Sequence, residues 1–153
     1  RAMRAAHRGY RLQDNTLFLA VAYFDRVWLL DRSLHEYGPA ELQQNLSLIA
    51  LVCLMLASKM EEVHACFALD LAPYFFAGAA LDSETPRRVE VYVLTLLGWD
   101  MNPPTPLVCL QHALLALAPD LRALGQAVEK VEALAFEHLL GTLEAPGLAA
   151  GAD

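Results

Sequence analysis

Leu46-Ser-Leu-Ile-Ala-Leu-Val-Cys-Leu-Met-Leu-Ala-Ser-Lys59-Met-Glu-Glu62 decides the reading of this chain. A long apolar run ends abruptly in a lysine and two glutamates, and nothing between them breaks a helical pattern. A helix that is apolar on every side requires other helices around it. It can then carry its charged tip to a fixed place on the domain surface. A cation mounted there is suited to gripping carbonyl groups of a partner, so the stretch predicts an all-α binding module.

Composition agrees. Of 153 residues, 56% are hydrophobic but only 8% aromatic, so the apolar content is mostly Ala, Leu and Val, a helix-forming mixture. The length suits one domain, or one domain and part of a second. A formal net charge of −7 and the lack of a basic stripe argue against DNA, RNA or an anionic membrane as the main partner. Cys53, Cys66 and Cys109 are widely spaced in apolar surroundings, an odd number that fits a reducing compartment. The run Leu46 to Ala57 falls short of the ~20 residues that span a bilayer and reads as a core helix. The chain opens with Arg1 rather than Met, and its natural start is expected further upstream.

Outward from the central helix, expected over Glu41 to Glu62, helical signals continue. Asp14-Asn15-Thr16 offers N-caps for a helix carrying Leu17, Ala20, Val21, Phe24 and Trp28. A shorter helix is expected over Phe67 to Phe76, limited by Pro73 and ended by Gly78. Asp82-Ser83-Glu84-Thr85-Pro86 opens another, which stops at Gly98. Prolines 103 and 104 form a stiff linker. Beyond it, Thr105-Pro106 caps a helix that Pro119 stops, and Asp120 caps one that Gly141 stops. The Ala-, Gly- and Pro-rich tail 143–153 reads as disordered. The expected division is a lobe over 1–102, a partial second lobe over 103–142, and the tail.

Enzyme chemistry is poorly represented. His64-Ala-Cys66 is the closest His/Cys pair and has no second pair at metal-ligand spacing, so no metal is assigned. Glu61, Glu62, Glu132, Glu137 and His138 read as solvated helix-face groups rather than acid–base sets. The eight glycines are scattered and form no phosphate loop. On composition alone Trp28 and Trp99 read as core fillers. No cofactor, catalytic residue or small-molecule substrate is assigned.

Three blocks, in order, carry a resemblance. Tyr10-Arg-Leu-Gln-Asp-Asn-Thr16-Leu-Phe-Leu-Ala-Val-Ala-Tyr-Phe-Asp25-Arg26 resembles the first-to-second helix passage of a cyclin box. Leu54-Met-Leu-Ala-Ser-Lys59-Met-Glu61-Glu62 is similar to the third-helix signature of that family. Arg88-Val-Glu90-Val-Tyr-Val-Leu94-Thr-Leu-Leu-Gly-Trp99-Asp100, with Pro104-Thr105-Pro106 after it, resembles the fifth helix and the entry to the second lobe. Lys130-Val-Glu132-Ala-Leu-Ala-Phe136 resembles a second-lobe helix, and the short alanine-rich end resembles atypical members of the cyclin P or cyclin-N-terminal-domain-containing type.

The resemblance implies a five-helix bundle, a proline linker and a partial second helical lobe. It implies a regulatory subunit that forms a heterodimer with a cyclin-dependent serine/threonine kinase and activates it in cell-cycle control. The alternative is a cyclin-fold adaptor that binds proteins without activating a kinase. Lys59 and Glu90 match the family's kinase-facing lysine and glutamate, and Met60, Glu62, Val63, Leu94 and Trp99 match contact positions around them. Taken singly, Lys59 is also an ordinary cation at a helix C-terminus, and Glu90 an ordinary surface carboxylate. Asp25 and Arg26 are expected to brace the first helix. A substrate-docking groove would draw on Leu46 and Ser47, in incomplete form, since its tryptophan position falls at Ala2 and a glutamine is common where Ser47 stands. A distribution over nucleus and cytoplasm is the family expectation.

Overall fold

Helix-forming runs separated by Gly, Pro and capping residues give seven α-helices and one 3-10 turn, with no strand, among the described residues of the computed structural model, which are 1–76, 81–123 and 128–143. The helices are α1 (Ala2–Tyr10), α2 (Asp14–Leu30), α3 (Pro39–Glu61), α4 (Ala68–Phe75), α5 (Glu84–Leu96), α6 (Pro106–Ala123) and α7 (Val128–Thr142), and the 3-10 turn is Arg32–Glu36. The chain forms two compact units, Arg1–Pro103 and Pro104–Asp153.

In the first unit α3 is the axis, in contact with α1, α2, α4 and α5. Its stretch from Leu51 to Ser58 is buried all round, as its unbroken apolar sequence demands. By length and apolar content alone α3 would also suit a membrane span, but here its side chains from 51 to 58 are covered by neighbouring helices, while most of those before 51 are only partly covered or exposed. Leu19, Tyr23 and Val27 of α2, Leu71 of α4, and Val93 and Leu97 at the end of α5 complete the core around it. Two buried hydroxyls are satisfied. Thr16 donates to Glu62, while Ser58 donates to the Met55 carbonyl and accepts the Cys66 amide, tying the end of α3 to the following loop.

Several expected boundaries shift for identifiable reasons. α2 begins at Asp14 with Gln13 as the residue before it, and no side chain of Asp14, Asn15 or Thr16 caps its end. α5 takes its cap from Asp82, whose carboxylate accepts from the amides of Glu84 and Thr85 and from the Thr85 hydroxyl. α5 closes as expected at Gly98, whose φ of 63° supplies the left-handed residue of the turn. Pro119 does not stop its helix, since α6 continues to Ala123 and includes Asp120. A proline removes one hydrogen bond, here to the Leu115 carbonyl, and the Leu- and Ala-rich flanks hold the helix on both sides. α7 runs past Gly141 to Thr142. Thr105 does cap α6, its hydroxyl accepting the Val108 amide. Gly78 and tail residues 144–153 lie outside the described residues.

Candidate functional site

Lys59 stands in the last turn of α3, where unsatisfied carbonyls favour a cation. Its ammonium donates to Glu90 Oε1 of α5 at 2.5 Å, with the lysine side chain 43% exposed and the glutamate 20%. The two helices are fixed together by the core beneath, so the pair is built on a rigid base. A pair this exposed stabilises a fold by at most about 1 kcal/mol. Its chemical use lies elsewhere. An ammonium has three donors and a carboxylate about four acceptor sites, so the pairing leaves both groups capacity for a partner's carbonyls and amides.

Apolar side chains accompany the pair. Met60 is exposed, Val63 is 91% exposed and Trp99 66% exposed, whereas Leu94 is half-buried against the core. The reading of Trp99 as a core filler is therefore corrected. The closing turn of α5 throws it outward, while Trp28 does pack on the core, with its ring edge-on to His35 at 4.4 Å. Phe67 and Val91 are also largely exposed, and the sequence expectation gives neither a contact role. Val91 follows Glu90 directly, and Phe67 lies just outside the apolar stripe of α4, which is the signal available for each.

Glu62 is engaged inward. One carboxylate oxygen accepts from the Gln13 amide at 2.7 Å and the Thr16 hydroxyl at 2.5 Å. The other accepts from Gln13 Nε2 at 3.5 Å, which also donates to the Glu61 carbonyl at 3.0 Å. The carboxylate thus does for α2 what a glutamate in its own first turn would do in a capping box. The amides of the first turn, by contrast, have no side-chain acceptor of their own.

Arg26 differs from its expected role. It does not brace the first helix; its guanidinium donates to the Asp100 carbonyl at 2.9 Å and the Leu97 carbonyl at 3.2 Å, and pairs with the Asp100 carboxylate at 3.3 Å. Tyr23, fully buried, donates to the Met101 carbonyl at 2.6 Å. Removal from water holds its hydroxyl far above the usual tyrosine range. Asp25 is exposed on α2, yet the protein around its carboxyl displaces enough water to raise it above the ordinary carboxylate value.

The expected docking-groove positions are occupied within α3. Leu46 packs partly against the core. Ser47 donates to the Gln43 carbonyl at 2.8 Å and accepts from Gln43 Nε2 at 3.3 Å. A separate cavity of about 290 Å³ is lined by Asp31, Ser33, Tyr37, Asn45 and Tyr92 among others. At its wall Asp31 accepts from the Ser33 amide at 3.1 Å, the Ser33 hydroxyl at 2.6 Å, and the Tyr92 hydroxyl. Burial works to raise the Asp31 carboxyl, but these bonds outweigh it and hold the group below its ordinary value. Burial and the bond to Asp31 push Tyr92 up to about 12. An Asp with a Ser two residues on is a turn signal, legible in sequence; its tyrosine partner is not.

Comparison with known proteins accords with this architecture. A family model, the cyclin N-terminal domain, matches residues 2–102. Cyclin-D3-3 of Arabidopsis thaliana is 37% identical over 107 residues, covering 67% of this chain and 27% of that protein. Cyclin-D1-1 of the same plant is 36% identical over 99 residues, covering 63% and 27%. G1/S-specific cyclin-E1 of Danio rerio is 30% identical over 101 residues, covering 66% and 22%. The chain thus spans about a quarter of the length of these curated relatives. No solved structure matches it at a significant level. With its first five helices falling inside the matched segment, and α3 and α5 meeting at Lys59 and Glu90, the chain belongs to the cyclin family.

Proposed function

We propose that this chain is a regulatory subunit that binds a cyclin-dependent protein kinase through Lys59, Glu90 and the apolar residues beside them, and favours the kinase's active conformation. The observation that carries the reading is the meeting of the two side chains, 31 positions apart in sequence, at a rigid junction beside exposed Met60 and Val63. Such a pair offers donors and an acceptor to the backbone of a kinase helix, each charge-assisted bond contributing about 1.5–3 kcal/mol. The subunit supplies no catalytic group. It acts by binding more tightly to the kinase form whose regulatory helix is turned inward, where a lysine–glutamate pair orders the ATP phosphates. Moving a kinase from one-hundredth active to almost fully active takes a differential affinity of about 5.5 kcal/mol. A nuclear and cytoplasmic distribution is the corollary.

The test is capture of a panel of purified cyclin-dependent kinases on the immobilised chain, followed by a phosphorylation assay of whatever is retained. Retention with a rise in kinase rate supports the proposal. Retention without any rise in rate supports the adaptor reading instead, and no retention by any kinase removes the proposal.

A further inference from the structure

Trp99 combines two unfavourable features. Its backbone is left-handed, with φ at 59°, and its side chain is 66% exposed. Side chains crowd the backbone in that conformation, so it is largely left to glycine. Ending α5 needs one left-handed residue, and Gly98 provides it: the Gly98 amide returns to the Thr95 carbonyl and the Trp99 amide to the Leu94 carbonyl. The second left-handed residue is therefore not needed for closure. What it does is turn an indole away from the core. Strain of this sort persists where surrounding structure imposes it.

Here the imposing structure comes from α2. Arg26 grips the carbonyls of Leu97 and Asp100, one on each side of the Gly98–Trp99 pair, and Tyr23 grips that of Met101. The Asp100 carboxylate is 63% exposed, so the ion pair with Arg26 is peripheral and the carbonyl bonds set the turn. Reaching two carbonyls and a carboxylate at once needs the planar fork of a guanidinium, which a lysine does not have.

We infer that Arg26 is a positioning residue for the partner interface: it holds the 97–101 turn in the form that presents the Trp99 indole, already ordered, to the kinase. The inference rests on the kinase-binding reading and adds to it a residue that does not touch the partner. Tryptophan is over-represented among residues that dominate interfaces. One that is rigid before binding loses less freedom on docking.

The sequence has two tryptophans, so Trp28→Phe leaves Trp99 as the only indole. In that background, fluorescence anisotropy of the free chain reports whether the turn is held. The expected result is a high anisotropy that falls in Arg26→Lys, and falls also in Tyr23→Phe, a second variant that loses only one hydroxyl. Affinity for a retained kinase should drop about tenfold in Trp99→Ala and by a similar factor in Arg26→Lys. The double variant should bind no more weakly than Trp99→Ala alone, because Arg26 acts through the indole. Unchanged anisotropy in both Arg26→Lys and Tyr23→Phe, or losses that multiply in the double variant, would overturn the inference. Lys59→Ala separates the two levels. If it weakens binding while Arg26→Lys does not, only the positioning role fails. If no kinase is retained, the binding reading fails and the anisotropy still decides whether Arg26 holds the turn.

Discussion

Glu62 joins the end of α3 to the start of α2 through hydrogen bonds to Gln13 and Thr16. Glu62→Ala would leave the buried Thr16 hydroxyl and the Gln13 amide without this acceptor. It is expected to destabilise the first unit by about 1.5–3 kcal/mol, read by urea denaturation. Tyr92 and Asp31 make opposite contributions to pH dependence. The Tyr92 hydroxyl, ordinarily at 10.0 and here about 12, favours the neutral phenol in the folded chain. Its stabilising share is complete below pH 10 and is lost as pH rises towards 12. Asp31 is lowered, so its share is present above the ordinary carboxylate value and fades as pH falls through the lower folded one. Tyr92→Phe should therefore shrink the loss of stability between pH 10 and 12, measured by denaturation across that range, leaving the parts due to Tyr10, Tyr23, Cys53 and Cys66, which are raised as well. Lys59 and Glu90 were legible in the sequence because each falls in a block whose register a family resemblance fixes. The inward turn of Glu62 and the grip of Arg26 were not. Their partners lie 49 and 74 positions away, and no local pattern announces a hydrogen bond across such a distance.

Helices were the most legible level, since apolar periodicity and punctuation are local properties. α3 and α5 lie within a few residues of where their apolar runs and caps place them. Proline was over-read. Pro119 sits inside α6 at the cost of one backbone bond, so Pro119→Ala should strengthen that helix by up to about 3 kcal/mol, seen as greater helical circular dichroism on heating. Glycine at the α1–α4 contact escaped notice for the opposite reason, because its role is spatial. A Cβ at Gly9 would lie 2.0 Å from the Tyr74 hydroxyl, where α1 and α4 meet and where Tyr10 stacks edge-on to Tyr74 and donates to the Asp70 carbonyl. Gly9→Leu is expected to displace the Tyr74 ring from its contact with Tyr10 and lower stability by about 1 kcal/mol, checked by thermal unfolding.

Across the whole molecule, the buried core assembled around α3 lies entirely within residues 6–97, inside the first unit, whereas α7 has no buried residue among those described. A fragment ending at Pro103 should therefore unfold cooperatively by itself, as judged by a single sigmoidal transition. The all-helical class was legible from composition and from the central run, because a helix apolar all round has few other ways to be covered. Which helix ends meet at the surface was not legible from those features, since packing decides it. That meeting of helix ends is also what the proposed function depends on: a cation and a carboxylate, brought together by the crossing of α3 and α5, acting as the grip on a kinase. The most direct test is the affinity of a retained kinase for Lys59→Ala, Glu90→Ala and the double variant, with circular dichroism confirming the fold and Leu54→Asp as the unfolded control. Each single change is predicted to weaken binding by about 1–3 kcal/mol, with the double losing less than the sum. Folded variants that bind as tightly as the parent would contradict it.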